Sequence, residues 1–287
     1  MTTLPERSAR HCQSVLNPLH SAIYFTPDYH QEVSKLGVED RMASYFVSRS
    51  AALGRVGAGT VTATFFNFKY EQVARHIPAV WEVITPREAL DARLRAADSM
   101  LRRLLGEEAI GSPAMAEAAK LALRATEACS RAARPLYAAH ADLPVPDAPH
   151  LALWHAATLL REHRGDSHLA VLLDAGLDPV EALASHTASG RGMSPKWVLA
   201  TRGWSAEEWA AAHDRLRDRG LLDEAGELTE AGTALRKDLE AATDRLDLAP
   251  YAHLGADGVA RLTELAGAFT AKAAEGGAFP ADLLGKR

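Results

Sequence analysis

Six consecutive residues, 163–168 (His-Arg-Gly-Asp-Ser-His), form the densest group of polar side chains in the sequence. Guanidinium groups bind carboxylates and phosphates, and neutral imidazole binds metal ions. His155 lies eight residues before this group, on roughly the same helical face, and with Arg164 and His168 it predicts a pocket for an anionic or metal-bearing ligand. Local capping is the alternative, because Asp166 is placed to cap the helix that follows.

A second candidate lies near the N-terminus, where His20 and Tyr24 are four residues apart and project from one helix face. His20 has apolar neighbours, so it is either a core residue with one hydrogen bond, a general base or an axial ligand for haem. A buried imidazole or guanidinium is costly unless it is paired or bound. We therefore expect both groups to meet in one pocket between the two halves of the chain, which His186 could join, with haem or a metal ion as candidate cofactors. The expected ligand-binding residues are His20, Tyr24, His155, His163, Arg164 and His168.

Several motifs that identify enzyme classes are missing. The sequence has no HExxH, P-loop or GxSxG, and no GxGxxG after a strand, which disfavours zinc proteases, P-loop nucleotide hydrolases, α/β-hydrolases and Rossmann oxidoreductases. Its cysteines, Cys12 and Cys129, are far apart and form no CxxC, so neither a disulfide framework nor a zinc knuckle is indicated. The sequence leaves open whether any reaction is catalysed.

Length and composition indicate a globular protein. The 287 residues, 47% of them hydrophobic, suffice for a sizeable core and for two domains. A formal net charge of −5 gives no overall basic footprint for nucleic acid or anionic lipid. The first residues are polar, and no apolar run approaches the roughly 18 residues of a membrane span. We therefore expect a cytoplasmic protein with neither signal peptide nor membrane anchor.

Helix-capping signals recur along the chain, and alternating strand patterns are nearly absent. Capping boxes at 85–88, 178–181 and 205–208 predict helix starts, and the β-branched stretch 56–68 is assigned as a helix with a strand as the alternative. Three prolines within 143–149 forbid a helix there and mark a domain boundary. The expected parts are a helical domain at 1–143, a winged-helix-like domain at 150–246, and a C-terminal linker and helix at 247–287.

The second half is expected to contain separate helices at 149–164 and 167–175. A linker at 247–256 then leads to an Ala-rich amphipathic helix at 257–275. Such a helix suits docking on the body of the protein or on another subunit, and the second arrangement would give a homodimer.

Residues 194–246 have the element order of a winged helix. In sequence these elements are a helix from Ser194 to Gly203, a second helix from Ser205 to Gly220, and two short strands at 221–222 and 227–229 around a tight turn, the wing. The second helix begins with Glu207 and Glu208, and residues 194–240 carry seven cationic and ten acidic side chains, a balance of −3. Because duplex binding depends on cations at phosphates, we expect DNA affinity no better than the non-specific range of roughly 10⁻⁴ to 10⁻⁶ M. The expected fold is all-α with a winged-helix C-terminal half and a small β-wing.

Residues 194–246 resemble the winged-helix half of MarR-type regulators at 215–222 (Arg-Leu-Arg-Asp-Arg-Gly-Leu-Leu) and 228–232 (Leu-Thr-Glu-Ala-Gly). This resemblance implies that these stretches are the end of a recognition helix and the far side of a wing. The whole chain also resembles a family of two-domain actinobacterial helical proteins with a degenerate helix-turn-helix half, at 19–25 (Leu-His-Ser-Ala-Ile-Tyr-Phe) and 160–168 (Leu-Arg-Glu-His-Arg-Gly-Asp-Ser-His). That family brings no established activity with it.

Two functions follow from these observations. The first is a protein that binds a small molecule or cofactor in a pocket between its halves, with or without catalysis, and uses the winged helix for packing. The second is a ligand-responsive transcription regulator. In that case Arg215, Arg217 and Arg219 would be the first candidates for phosphate contacts.

Overall fold

The computed structural model describes residues 4–5 and 7–280, and the regular elements in them are helical, as expected for the all-α class. The α-helices are α1 (Ser8–Ser21), α2 (Asp28–Ser34), α3 (Arg41–Ser50), α4 (Ala58–Phe65), α5 (Tyr70–Ala74), α6 (Pro86–Ile110), α7 (Pro113–Thr126), α8 (Pro135–Ala141), α9 (Pro149–Asp174), α10 (Pro179–Ala188), α11 (Pro195–Arg202), α12 (Ala206–Asp218), α13 (Glu230–Leu246) and α14 (Leu248–Glu275). None of the helices in this part of the chain combines the length and apolarity needed to cross a membrane.

Local capping explains where several helices begin. The side chains of Thr85, Asp178 and Ser205 each accept a hydrogen bond from the backbone N–H of the third residue of their helix. That residue is a glutamate, whose carboxylate accepts a hydrogen bond from the backbone N–H of the capping residue. The three predicted capping boxes are confirmed. The undecided stretch 56–68 contains α4, so its assignment as a helix is also confirmed.

The predicted β-wing is wrong. Leu222 and Leu228 form one isolated antiparallel bridge, and no strand or sheet occurs among the described residues. The turn between them does form, because the backbone N–H of Asp223 donates to the carbonyl of Glu227 at 2.9 Å. Pairing cannot extend further, since Thr229 is already the N-cap of α13 and Gly220 closes the turn after α12.

The polar group at 163–168 does not separate two helices, because α9 runs unbroken through it. The expected break was wrong for a tertiary reason. Asp166 does not cap its own helix, but accepts a hydrogen bond from the backbone N–H of Tyr137 at 3.0 Å, in the first turn of α8. Ser167 does not cap a new helix either, because its hydroxyl donates to the carbonyl of His163 within α9 at 2.8 Å. The stretch 247–256, which was expected to be a linker, is instead mostly helical, because α14 begins at Leu248 and its backbone departs from helical geometry at Gly255.

Helix α9 contributes to two hydrophobic cores. Its first half, through Leu160, packs into a large core with α1, α6, α7 and α14. Its last turns, at Val171 and Leu172, pack into a smaller core with α10, α12 and α13. The polar stretch 161–168 therefore lies between the two cores, and its residues Glu162, His163, Asp166 and Ser167 are buried. Two cavities border this stretch, and Arg161 lines both of them.

Candidate ligand-binding cavity

Two cavities lie beside the polar stretch of α9. The larger, of about 890 Å³, is lined mainly by residues of α1, α2, α3 and α11, and we call it the large cavity. The smaller, of about 360 Å³, is lined mainly by residues of α3, α4, α9 and α10, and we call it the small cavity. Four residues line both, namely Tyr45, Arg161, Met193 and Arg202.

One carboxylate, that of Glu162, is buried among guanidinium groups in the wall of the small cavity. Its Oε2 lies 3.5 Å from Nη2 of Arg49 and accepts a hydrogen bond from Arg161. Burial would raise the pKa of Glu162, but the charges of Arg161 and Arg49 outweigh burial and hold that pKa well below its usual range. Since the side chains of Arg49 and Glu162 are only 7% and 1% exposed, they form an ion pair of the protein interior.

Tyr45 of α3 stands between the two cavities. Its hydroxyl accepts a hydrogen bond from Nη1 of Arg49 at 3.2 Å, and its ring meets that of Tyr24 edge to face, with centroids 5.5 Å apart. Burial would raise the pKa of this phenol, yet the positive charges of Arg49, Arg202 and Arg161 together lower it. Three guanidinium groups therefore act on one point of the cavity wall.

Arg202, the last residue of α11, has no hydrogen bond to a carboxylate in the part of the chain that the structure describes. Its guanidinium lies over the ring of Phe68, 4.3 Å from the centroid, and donates to the hydroxyl of Thr201 and to the sulfur of Met193. Burial lowers the pKa of Arg202, and its Nε is buried without a hydrogen-bond partner among the described residues. A cation in such surroundings gains strongly from an added anion.

Unpartnered polar atoms are concentrated in these walls. Buried polar groups in proteins are almost always hydrogen-bonded, so each exception needs a physical reason. The buried atoms that lack a partner in the described part of the chain and belong to cavity-lining residues are Oδ1 of Asn17, Oγ1 of Thr26, the hydroxyl of Tyr29, Oγ of Ser48, Nε of Arg49, Oδ1 of Asn67, Oε1 of Glu162 and Nε of Arg202.

The predicted pair His20 and Tyr24 lies at the inner edge of the large cavity, which Tyr24 lines. The hydroxyl of Thr158 donates to a backbone carbonyl, so it accepts from Nδ1 of His20 at 2.8 Å, and Nε2 of His20 accepts from the hydroxyl of Tyr24 at 3.1 Å. Burial, aided by the charge of Arg93, holds the pKa of His20 well below 6.5. His20 is therefore a neutral, doubly bonded residue that orients Tyr24, and neither ring nitrogen is available to an iron atom.

His163 and Arg164 face helices α13 and α14. Nδ1 of His163 lies 2.6 Å from Oδ1 of Asp247, and Arg164 donates to Asp244 at 2.8 Å and to Glu240 at 3.0 Å. Neither residue lines the two cavities. Their visible role is to tie α9 to the helices that follow the helix-turn-helix region.

His155 and His168 are held neutral by burial, which lowers the pKa of each to about 4. His168 lines the small cavity and bonds through Nδ1 to the hydroxyl of Thr243 at 2.8 Å, whereas His155 lines neither cavity. His186 lines the small cavity as well. Within the described ranges, no group of three or more His, Cys, Asp or Glu side chains is arranged to hold a metal ion. Of the six predicted residues, Tyr24 and His168 thus line the cavities.

The turn between α11 and α12 is docked on the segment 67–72 of the first half. The backbone N–H of Lys69 donates to the carbonyl of Arg202 at 3.0 Å, and Nε1 of Trp204 donates to the carbonyl of Asn67 at 3.0 Å. Nζ of Lys69 also pairs with Glu208, the capping glutamate of α12, at 2.6 Å. The start of the second helix, where a regulator reads bases, is therefore in contact with the protein itself.

We expect Gly203→Ala to disrupt this docking. Gly203 has φ +82°, and an added Cβ would lie 2.5 Å from Cβ of Gln72, closer than real Cβ contacts. We expect the free energy of unfolding to fall by at least about 2 kcal/mol, as measured by urea denaturation. Gly220→Ala is the control, since Gly220 has φ +69° with no atom within 4 Å and should lose only about 1 kcal/mol. Equal losses in both variants would show that the contact with Gln72 contributes nothing.

Sequence reasoning missed Arg49, Arg161, Glu162 and Arg202. A weak signal was present, because Arg49 comes two residues after the apolar run Tyr45, Phe46 and Val47, where a charged side chain that is buried needs a partner from elsewhere. The partner, Glu162, is 113 residues away.

A known protein family matches the chain. No curated protein and no solved structure matched the chain. A family model described as a helix-turn-helix family matches residues 9–280, which includes both halves of the chain and both cavities. Because this match covers nearly the whole sequence, the chain belongs to that helix-turn-helix family.

Proposed function

We propose that the protein binds a small molecule in the large cavity. The observation that carries this proposal is that Asn17, Thr26, Tyr29 and Ser48, which all line this cavity, each have a buried polar atom without a partner among the described residues. Such atoms cost free energy unless a ligand or water bonds them. The volume of about 890 Å³ lies within the range of ligand sites, which are roughly 300 to 1,000 Å³.

The remaining wall is suited to an apolar ligand body. Tyr24, Phe25, Met42, Trp197 and Phe279 supply aromatic and aliphatic surface around the scattered polar groups. Ligand sites typically combine such walls with a few polar atoms that fix orientation. The domain boundary within 143–149 and a homodimer remain predictions.

We further propose that the helix-turn-helix half serves as one wall of this cavity and does not read DNA in this conformation. Arg215 is paired with Asp178 and Glu181, and Arg219 with Glu181. Arg217 is paired with Asp214. These are the cations that would contact phosphates, and their pairing within the protein reduces the charge available to a duplex.

The neutral dye N-phenylnaphthylamine, whose fluorescence rises in apolar surroundings, tests the cavity directly. We expect one dye to bind per chain, and we expect Ser48→Phe, which fills part of the large cavity, to weaken binding at least tenfold. Ser14→Phe is the matched control, because Ser14 is an exposed residue of α1 and does not line the cavity. Unchanged binding by a folded Ser48→Phe variant would place the dye elsewhere and contradict the proposal.

The alternative function, a transcription regulator, is favoured by the helix-turn-helix family and is tested by a separate experiment. Selection of duplexes from a random library by the full chain would reveal any sequence preference. Sequence-selective binding below 1 μM, tighter than the roughly 10⁻⁴ to 10⁻⁶ M of non-specific binding, would show that α12 reads DNA. Such a result would not contradict the proposed cavity, but it would identify the protein as a ligand-responsive regulator.

A further inference from the structure

We propose that the ligand of the large cavity is an amphipathic organic anion, with its acidic head at Arg161 and Arg202 and its apolar body directed towards Phe25 and Phe279. This inference rests on the proposed function, because it assigns a chemical class and an orientation to the ligand of the same cavity.

The first argument is charge. The large cavity is lined by three arginines, Arg41, Arg161 and Arg202, and none of the described residues that line it is an aspartate or glutamate. Near the shared wall, Arg161 and Arg49 share the carboxylate of Glu162, and the carboxylate of Asp166, which lines the small cavity, also interacts with Arg161. At most two negative charges therefore stand against three guanidinium groups, those of Arg49, Arg161 and Arg202, and an anion would compensate the excess.

The second argument is the environment of Arg202. Its hydrogen-bonding partners are a hydroxyl and a thioether, and its planar group stacks on Phe68. Stacking holds a guanidinium flat and leaves its edge to hold a carboxylate, sulfonate or phosphate through two parallel hydrogen bonds. The buried Nε of Arg202 belongs to that edge and lacks a partner in the described structure.

The third argument is polarity along the cavity. The arginine end is shared with the small cavity, whereas other lining residues include Phe25 and Phe279, whose ring centroids lie 5.6 Å apart. A free inorganic anion would satisfy the arginines but would leave this aromatic surface in contact with water. A molecule with one anionic head and an apolar body satisfies both ends.

A matched pair of dyes separates head from body. Anilinonaphthalene sulfonate carries a sulfonate, and N-phenylnaphthylamine has the same aromatic body without it. We expect the sulfonate to bind at least tenfold more tightly, and we expect Arg202→Gln to remove about tenfold of its affinity while the neutral dye binds as before. Arg87→Gln is the control for net charge, because Arg87 is 82% exposed and does not line the cavity.

The outcomes distinguish the two proposals. If neither dye binds in the cavity, the proposed function fails. If both dyes bind equally, or if Arg202→Gln weakens both equally, the cavity binds a ligand but the anionic head is refuted. A competition experiment completes the test. Decanoate should displace the sulfonate dye, whereas decanamide and inorganic phosphate at the same concentration should not. Displacement by inorganic phosphate would refute the apolar body, and displacement by decanamide would refute the acidic head.

Discussion

Replacing Glu162 with glutamine is expected to lower the free energy of unfolding by about 3 to 5 kcal/mol, the range for breaking a buried ion pair. The side chains of Glu162 and Arg49 are 1% and 7% exposed, so solvent cannot take over the role of the carboxylate. The variant leaves Arg49 buried with the hydroxyl of Tyr45 as its remaining hydrogen-bond partner in this cluster. Urea denaturation at pH 7, followed by circular dichroism, measures the loss.

Two further variants test the cause. Arg49→Met combined with Glu162→Leu removes both charges, so we expect the double variant to be more stable than Glu162→Gln alone, although it removes more polar groups. Asp91→Asn breaks an ion pair with Arg87 in which both partners are about half exposed or more, and it should cost less than about 1 kcal/mol. A loss below about 1 kcal/mol for Glu162→Gln would show that water reaches this pair through the cavity.

The sequence predicted those parts of the fold that depend on neighbouring residues. The capping boxes at Thr85, Asp178 and Ser205 act within one helical turn, so the type and spacing of the residues sufficed. The contact between His20 and Tyr24 was predictable for the same reason, since the two residues lie four apart on one helix.

The predictions that failed required knowledge of distant partners. Asp166 has the chemistry of an N-cap, and it does meet the backbone of a first helical turn, but that turn belongs to α8 rather than to its own segment. The prediction of a wing failed because the sequence around Leu222 and Leu228 is the same whether it forms a strand or a single bridge. Here Thr229 caps α13 directly after the bridge, so no strand forms.

The candidate site was the least predictable part. A polar side chain in a helix has the same sequence signature whether it faces solvent, pairs in the interior or lines a cavity. Arg161 and Arg164 are three residues apart on α9, yet Arg161 lines the cavities and Arg164 pairs with α13. Which of them faces a ligand is set by the helices packed on each side, and that information is absent from the local sequence.

We expect stability to fall steeply between pH 6.5 and pH 4. Burial, with the charge of Arg93 next, lowers the pKa of His140 and of His155 to about 4. In the unfolded chain these histidines are protonated near pH 6.5, whereas in the folded chain they are protonated only near pH 4. Acid therefore favours unfolding. At about 1.4 kcal/mol per pH unit, the gap amounts to roughly 3 kcal/mol for each histidine.

An opposite contribution comes from Asp166, and it sets the size of the net effect. Burial raises its pKa to about 6, so the folded state takes up this proton before the unfolded state and gains stability as the pH falls through that value. This gain in the free energy of unfolding offsets about as much as one buried histidine loses. His168 and His186, each with a pKa lowered to about 4 chiefly by burial, act in the same direction as His140 and His155. The net loss therefore approaches the whole 5 to 15 kcal/mol of a typical domain.

Circular dichroism during acid titration should accordingly show cooperative unfolding above pH 4. His155→Leu removes one of these buried histidines, to which His20 also belongs, and should shift the transition to lower pH, retaining roughly 3 kcal/mol at pH 4 relative to its stability at pH 7. His11→Leu changes an exposed histidine of α1 and should leave the transition where it is. If the native signal persisted to pH 3, or if both variants shifted the transition equally, burial of neutral histidines would not be what limits the acid stability of this fold.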